Sequence, residues 1–215
     1  MFAKLASKTD KPLIDPSSAA AKFGDPLAEK TSWLPLKPGG ANFKTNILKE
    51  IHPGRLEFRV SGGMKFFSGI FAVIGIGVLA VKMAKFPPHP HKEDWFLLAF
   101  GAIFALAGLG MLFFGSIPAV FDKHHGYYAK TLKKPQGIAD ISGLKNHTTL
   151  NRIHAIQLIS EFCSGDKSRY YSYELNLVLE DGSRLNVIDH GNVEAVRADA
   201  KKLAGFLGKP LWDAI

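Results

Sequence analysis

The sequence predicts a membrane α-hairpin of two transmembrane helices joined to a small α+β domain, an antiparallel sheet closed by a C-terminal amphipathic helix. Three observations carry this expectation. Two stretches, 66–81 and 95–121, hold no side chain with a formal charge, and the second is 27 residues long, against the ~20 that a helix needs to cross a bilayer. Further on, Asp181-Gly182 separates two alternating, strand-like runs, the strongest hairpin signal in the chain. Val193, Val196, Ala200, Leu203 and Leu207 then recur at helical spacing as one apolar stripe.

The 215 residues suffice for one domain and a remainder, which excludes a large multidomain enzyme. Hydrophobic residues make up 47% and charged residues 21%, an ordinary balance only because it averages two kinds of segment. The net charge of +8 comes from lysines spread between Lys4 and Lys209 with no arginine-rich run, so no nucleic-acid partner is expected. Attraction to anionic lipid headgroups accounts for the excess more simply. The single cysteine, Cys163, excludes an intramolecular disulfide and a cysteine-rich zinc site.

Residues 1–54 read as a proline-rich N-terminal arm, in which Pro12, Pro16, Pro26, Pro35, Pro38 and Pro53 prevent any long helix. Asp15-Pro16 followed by 17–23 and Gly24 has the punctuation of one short helix. The start lacks the apolar core and cleavage site of a signal peptide, so the arm is expected to stay on the side where it is made. Phe23, Trp33, Leu34, Leu36 and Phe43 are scattered along it like anchors on an extended ligand, which predicts that a partner orders the arm.

Residues 55–63 form a strand joining the later domain, because Arg55-Leu56-Glu57-Phe58-Arg59-Val60 alternates charged and apolar positions. An isolated strand is unstable, so its partner must follow the hairpin. The hairpin itself is placed at 64–116. Its first uncharged run has 16 residues, about 24 Å as helix, and Lys65 and Lys82 extend it by snorkelling. Trp95 begins the second span at the interface that its ring prefers, and Pro118 lies just beyond it. Gly101, Gly108 and Gly115 recur every seventh residue with Ala105 between the first two, and Ser68, Ala72 and Gly75 form a matching stripe. Such stripes let helix backbones approach closely in lipid.

Flanking charge sets the orientation. Lys49, Arg55, Arg59 and Lys65 precede the hairpin and Lys123, Lys130, Lys133 and Lys134 follow it, eight against Lys82, Lys85 and Lys92 in the connecting loop. The positive-inside rule then puts both termini in the cytoplasm, as in a multi-pass protein of a bacterial inner membrane.

Residues 117–215 read as the cytoplasmic β domain, with strand candidates at 117–123, 126–132, 152–162, 170–180 and 183–189. Tyr171, Tyr173, Leu175, Leu177 and Leu179 share an apolar face that is core, while Ser172, Glu174, Asn176 and Glu180 share the other. The closing helix, 192–207, has Asn192 as cap and Gly208-Lys209-Pro210 as its end. A short antiparallel sheet closed by one such helix is the outline of a pleckstrin-homology-like domain.

The order of elements carries a resemblance as well. A two-helix membrane hairpin is followed by Phe121-Asp122-Lys123 with Gly126, by Ile153 to Ile159 and by a hairpin from Leu175 to Leu185. The chain then reads Ala200-Lys201-Lys202-Leu203-Ala204-Gly205-Phe206-Leu207-Gly208-Lys209-Pro210. From about Met64 to Trp212 it resembles the photosystem I assembly proteins of chloroplasts and cyanobacteria. These share a two-span anchor, a soluble β-rich domain and an ending of the type Ala-x-x-Leu-Ala-x-Phe-Leu-x-x-Pro. It is also similar to bacterial membrane proteins carrying pleckstrin-homology-like modules. The resemblance implies an architecture, and no activity is carried over from it.

Candidates for chemistry are few. His89, His91, Glu93 and Asp94 crowd the external loop, His124-His125 follow the second span, and Asp189-His190 has the look of half a catalytic triad. No Walker loop, dinucleotide glycine motif, metalloprotease histidine pair or nucleophile elbow accompanies them. No catalytic, cofactor or metal residue is therefore assigned, no small-molecule substrate is identified, and the protein is not expected to be an enzyme. The expected function is that of a non-catalytic integral membrane accessory, assembly or scaffold subunit, binding a larger membrane protein complex through its arm, hairpin and β domain. One alternative is an anionic-lipid-binding module that uses Lys167 and Arg169. The other is a histidine-dependent membrane hydrolase or metalloprotein.

The charge count generates a topology prediction. Tags at either end should be protected from external protease in intact cells, and a tag inserted near Pro88 should be cleaved. A cleaved C-terminal tag would reverse the assignment.

Overall fold

Asp25 and Pro26 start a helix for simple reasons: the aspartate accepts the Leu27 N–H at 2.9 Å, and proline in the first turn has no N–H to leave unpaired. Helix α1 spans Pro26–Lys30 in the computed structural model, which describes residues 20–165 and 168–215. Strands β1 (Asn46–His52) and β2 (Arg55–Val60) follow, joined by Pro53 and Gly54. Ser61 then accepts the Met64 N–H at 3.1 Å and opens helix α2 (Gly62–Ala84), and helix α3 spans Lys92–Gly115. The chain divides into two units, residues 59–118 with the two long helices, and the remainder.

In the second of these units β2 pairs antiparallel with β3 (Ala119–Asp122), Leu56 opposite Phe121 and Phe58 opposite Ala119. Strands β4 (Tyr127–Lys130) and β5 (His147–Thr149) extend this, among the described residues, to a five-stranded sheet of order β1-β2-β3-β4-β5. A second sheet has the order β8-β7-β6-β9, from β6 (Ile153–Ser164), β7 (Arg169–Leu179), β8 (Arg184–His190) and β9 (Leu211–Asp213). Helix α4 (Val193–Leu207) is capped by Asn192, which accepts the Ala195 N–H at 2.8 Å, and ends at Gly208 with φ 66°. The core joins Leu56, Phe58 and Phe121 of the first sheet, Leu158, Leu175 and Leu177 of the second, and Val196, Ala200 and Leu203 of α4. Each of these side chains other than Ala200 contributes about 1.5–3 kcal/mol by leaving water.

The structure departs from the sequence reading in several places. Strand β1 lies inside the segment read as an arm; Pro53 falls in the link, where no strand needs its N–H, and Leu48 packs on the core. Strand β9 forms beyond Pro210 and pairs parallel with β6, Ile156 opposite Leu211, although three residues are too few to show a period. At Asp181-Gly182 only the glycine has positive φ, 78°, so the two-residue turn expected there gives way to a longer link. There the Gly182 N–H donates to Leu179 O at 2.9 Å, and the left-handed residue follows the turn rather than forming its centre. Finally, the polar face of β7 is covered, since Ser172, Glu174 and Asn176 are all buried beneath the chain's own N-terminal segment.

That segment changes the reading of Trp33. Its ring is 7% exposed, stacks on Phe23 at 5.4 Å, meets Trp212 at 5.8 Å, and donates its Nε1–H to Ala28 O at 2.9 Å. What covers Trp33 is its own chain, so it is a core residue and not an anchor presented to a partner. Of the short helix expected at 17–23, residues 17–19 lie outside the described residues, Ala20 and Ala21 are helical, and Gly24 behind them has φ 59°.

Replacing Trp33 with Ala should cost about 3 kcal/mol or more, the usual penalty for truncating a buried aromatic, whereas Leu34→Ala should stay within about 0.5 kcal/mol as an exposed change. Urea unfolding of the full chain in detergent, followed by circular dichroism, measures both. Equal midpoints for the two variants would contradict the burial.

Candidate functional site

Two surfaces follow from this fold, the seam between the long helices and the segment laid over the second sheet. In the seam, Ser68, Ala72 and Gly75 of α2 and Gly101, Ala105 and Gly108 of α3 are the buried positions. A methyl group added at Gly75 would fall on Ala105 N and within 2.7 Å of Gly101 O, and one added at Gly108 would fall on Ala72 N. Gly75 meets 101 and 105 while Gly108 meets 68 and 72, so the two helices run antiparallel. Gly115 is different: the nearest atom to its missing Cβ is Val60 Cγ2 at 3.8 Å, and it takes no part in the helix contact. Phe71 stacks on Phe104 at 5.1 Å beside the seam, and Lys82 Nζ meets Asp94 Oδ1 at 2.6 Å where the helices turn. Both helices are long and apolar enough to cross a membrane.

Residues 31–43 form a strap across the polar face of β6 and β7. Glu174 takes the Leu36 N–H at 2.9 Å and the Lys37 N–H at 3.1 Å, while Glu161 takes the N–H groups of Gly39 at 2.9 Å and Gly40 at 3.3 Å. In the other direction Gln157 Nε2 donates to Ser32 O at 3.1 Å, Arg184 Nη2 to Leu34 O at 2.9 Å and the Tyr170 hydroxyl to Gly40 O at 3.0 Å. All these bonds end on strap backbone, so hydrogen bonding fixes the path of the strap through its main chain, and Trp33 adds side-chain packing against the sheet. Two glycines make the approach possible. A Cβ on Gly40 would collide with the Ser172 side chain, and one on Gly191, whose N–H donates to Phe43 O at 2.9 Å, would collide with the backbone at Asn42 and Phe43. Leu34, Leu36 and Phe43 are left 61, 39 and 41% exposed.

The titratable candidates are committed elsewhere. Asp189 and His190 occupy successive positions of β8 opposite Glu174 and Tyr173, hence opposite faces. Burial pushes the Asp189 carboxyl up and the His190 imidazole down. Asp189 accepts from Asn186 Nδ2 at 3.0 Å and His190 Nδ1 from the Asn192 N–H at 2.9 Å, so they form no dyad. In the loop, Asp94 binds Lys82 and the His91 N–H. Among the described residues no group of three or more His, Cys, Asp or Glu side chains is placed to hold a metal ion. His125 gives its backbone N–H to Asp122, which also receives Arg55 Nη1 at 3.0 Å. Cys163 lines an open cleft of about 390 Å³ with Glu161 and Tyr170, and burial pushes its thiol up, the wrong direction for a nucleophile. Arg169 is exposed at the start of β7, and Lys167 lies outside the described residues.

Sequence reasoning missed the receptor side of the strap: Gln157, Glu161, Glu174, Asn176 and Arg184. One signal was present. Val178 shares the face of Glu174 and Asn176, with Ala155 and Ile159 on the neighbouring strand, and all three are buried. Apolar residues on a nominally polar face indicate a cover. Comparison of the chain with protein-family models and with curated proteins finds no match.

The seam generates a paired prediction. Gly108→Val should destabilise the helix pair by about 1–3 kcal/mol through overpacking, while Gly110→Val, which meets no neighbour within 4 Å, should be near neutral. Unfolding of the full chain in mixed micelles by titration with a denaturing detergent compares them. Equal loss at both positions would show that the contact is not decisive.

Proposed function

We propose that this chain is a non-catalytic integral membrane accessory subunit, an assembly factor or scaffold that docks onto a larger membrane protein complex. The observation that carries this reading is the one-sided burial of the hairpin. Its small residues face inward, and Phe66, Val73, Phe96, Leu106 and Phe114 are all exposed. An apolar surface of that extent is not stable in water. Helices of 23 and 24 residues reach about 35 Å at 1.5 Å per residue, enough for a hydrocarbon core of about 30 Å.

Connectivity supports a single side for both ends of the hairpin. Strands β2 and β3, which lead into and out of it, are paired neighbours of one folded domain, so the chain crosses and returns. The excess of positive charge outside the connecting loop favours the cytoplasm for that domain, in a bacterial inner membrane. The two sheets with α4 suit a pleckstrin-homology-like module, to which β9 is an addition, and the architecture suits the likeness to photosystem I assembly proteins. The non-catalytic part of the reading is supported by the use of the polar groups, since Glu161, Glu174, Arg55 and Asp122 are spent on holding the fold.

Affinity purification of the tagged chain from native membranes in mild detergent tests the proposal. It should migrate on a native gel in an assembly several times its own 23.5 kDa, and the co-purifying protein should be enriched over a control membrane protein. Migration as a lone species, both in mild detergent and after cross-linking in the membrane, would overturn it.

A further inference from the structure

Three consecutive residues at the end of β8 tie the end of the strap to the start of α4, and a buried imidazole is part of the tie. The Gly191 N–H donates to Phe43 O at 2.9 Å, where the strap runs out, and the Asn192 side chain caps α4. The Asn192 N–H in turn donates to Nδ1 of His190 at 2.9 Å. That bond requires Nδ1 to be the unprotonated nitrogen, so the neutral ring carries its proton on Nε2. His190 is fully buried, and among the described residues no carboxylate accepts from Nε2. The glycine between them leaves no slack, since a Cβ at 191 would strike the main chain at Asn42 and Phe43.

We propose that His190-Gly191-Asn192 is an acid-sensitive latch, in which a proton taken up at Nδ1 meets the Asn192 N–H donor to donor, breaks that bond, and frees the strap end together with the first turn of α4.

The surroundings of the ring set the direction. Burial pushes the imidazole down against the pull of main-chain groups at Asn46 and Asn192, and the Lys44 ammonium pushes it further down. Tyr173 lies opposite on β7, and Glu194 in the first turn of α4 is exposed. Asp189 is on the other face of β8, under the influence of Glu174, Lys37 and Lys130. With its value lowered, the latched state binds fewer protons than the open one. The latch is therefore complete above the ordinary imidazole value and weakens as pH falls below about 6.5. Asp189 and Asp199 act in the opposite sense. Burial pushes both carboxyls up, and Asp199 accepts the Leu48 N–H at 3.3 Å, so through them falling pH strengthens the latched state. Opening in mild acid is thus a signature that these carboxyls cannot produce.

The test follows amide hydrogen exchange of the full chain in detergent at about pH 7.5 and about pH 5.5, corrected for the slower intrinsic exchange in acid. Residues 192–197 and 41–46 should open more in acid, by up to about tenfold, the limit set by one pH unit below the ordinary imidazole value. The central strands β6 and β7 should stay protected. In His190→Asn, whose Oδ1 can accept the same N–H but takes up no proton, the rise should vanish. An equal rise in that variant, or unchanged or slower exchange in the parent, overturns the latch. If the variant does not fold, the ring nitrogens of the parent, isotopically labelled at histidine, decide the question. His190 should show a bare Nδ1 near neutrality and a doubly protonated ring in acid, gained in step with loss of protection at the Asn192 amide. A ring that stays neutral throughout, or an Nδ1 already protonated near neutrality, overturns the proposal.

Discussion

The pairing of β2 with β3 is the constraint on which the rest of the structure depends. Some sixty residues of helical hairpin are inserted between two strands that are hydrogen-bonded neighbours, Arg55 opposite Asp122 and Phe58 opposite Ala119. The chain can satisfy that register only if the insertion returns to its starting point. Two antiparallel helices of nearly equal length do so, and the small residues between them allow the backbones to close. Arg55 helps define the register, bridging Asp122 of β3 at 3.0 Å while it holds Glu57 of its own strand at 2.8 Å. A slip by one residue would break the bridge to Asp122 and turn Leu56 and Phe58 out of the core. The value of such a buried ionic group lies in specifying one arrangement more than in raw stability.

The second sheet solves a different problem. Its outer face carries carboxylates that would be costly to bury unpaired, and the strap supplies backbone N–H groups as their partners. The arrangement is reciprocal, because the strap is rich in proline and glycine and cannot pair its own backbone in a helix or sheet. Each side satisfies polar groups that the other would leave unpaired, and charge-assisted bonds of this kind are stronger than neutral ones. Trp33 and Phe23 then seal one end by packing on Trp212. A proline-rich segment therefore becomes part of the domain through its backbone and one aromatic cluster.

How much of this could be read from the sequence depends on the range of the interaction. The helical hairpin, the β2 alternation, the Asn192 cap and the apolar stripe of α4 are local patterns with a period, and they sit where the pattern places them. The seam residues 68, 72, 75, 101, 105 and 108 were legible because close helix approach requires small side chains. Gly115 was not distinguishable from them by spacing, and only the structure shows that no helix backbone stands opposite it. The strap was illegible for another reason. Backbone hydrogen bonds to Glu161 and Glu174 span more than 120 residues and leave no mark on the side chains of the strap. A covered polar face and a solvated one have nearly the same composition, and Val178, with Ala155 and Ile159 beside it, betrayed the difference. Trp33 was misread on the same ground, since an aromatic in an aperiodic segment looks alike whether its own domain or another protein receives it.

The aromatic cluster also sets an order of events during synthesis. Trp33 and Trp212 are separated by about 180 residues of chain, which a ribosome adding roughly 5–20 residues per second takes on the order of ten seconds or more to make. Throughout that interval Trp33 has emerged while the ring it packs against does not yet exist, and the two long apolar helices are produced in between. The nascent chain must therefore hold a sticky, uncovered segment in solution while its most hydrophobic part is being delivered. The protein thus has a vulnerable period in its biogenesis, during which a chaperone able to shield a short aromatic stretch would raise yield without altering the finished fold.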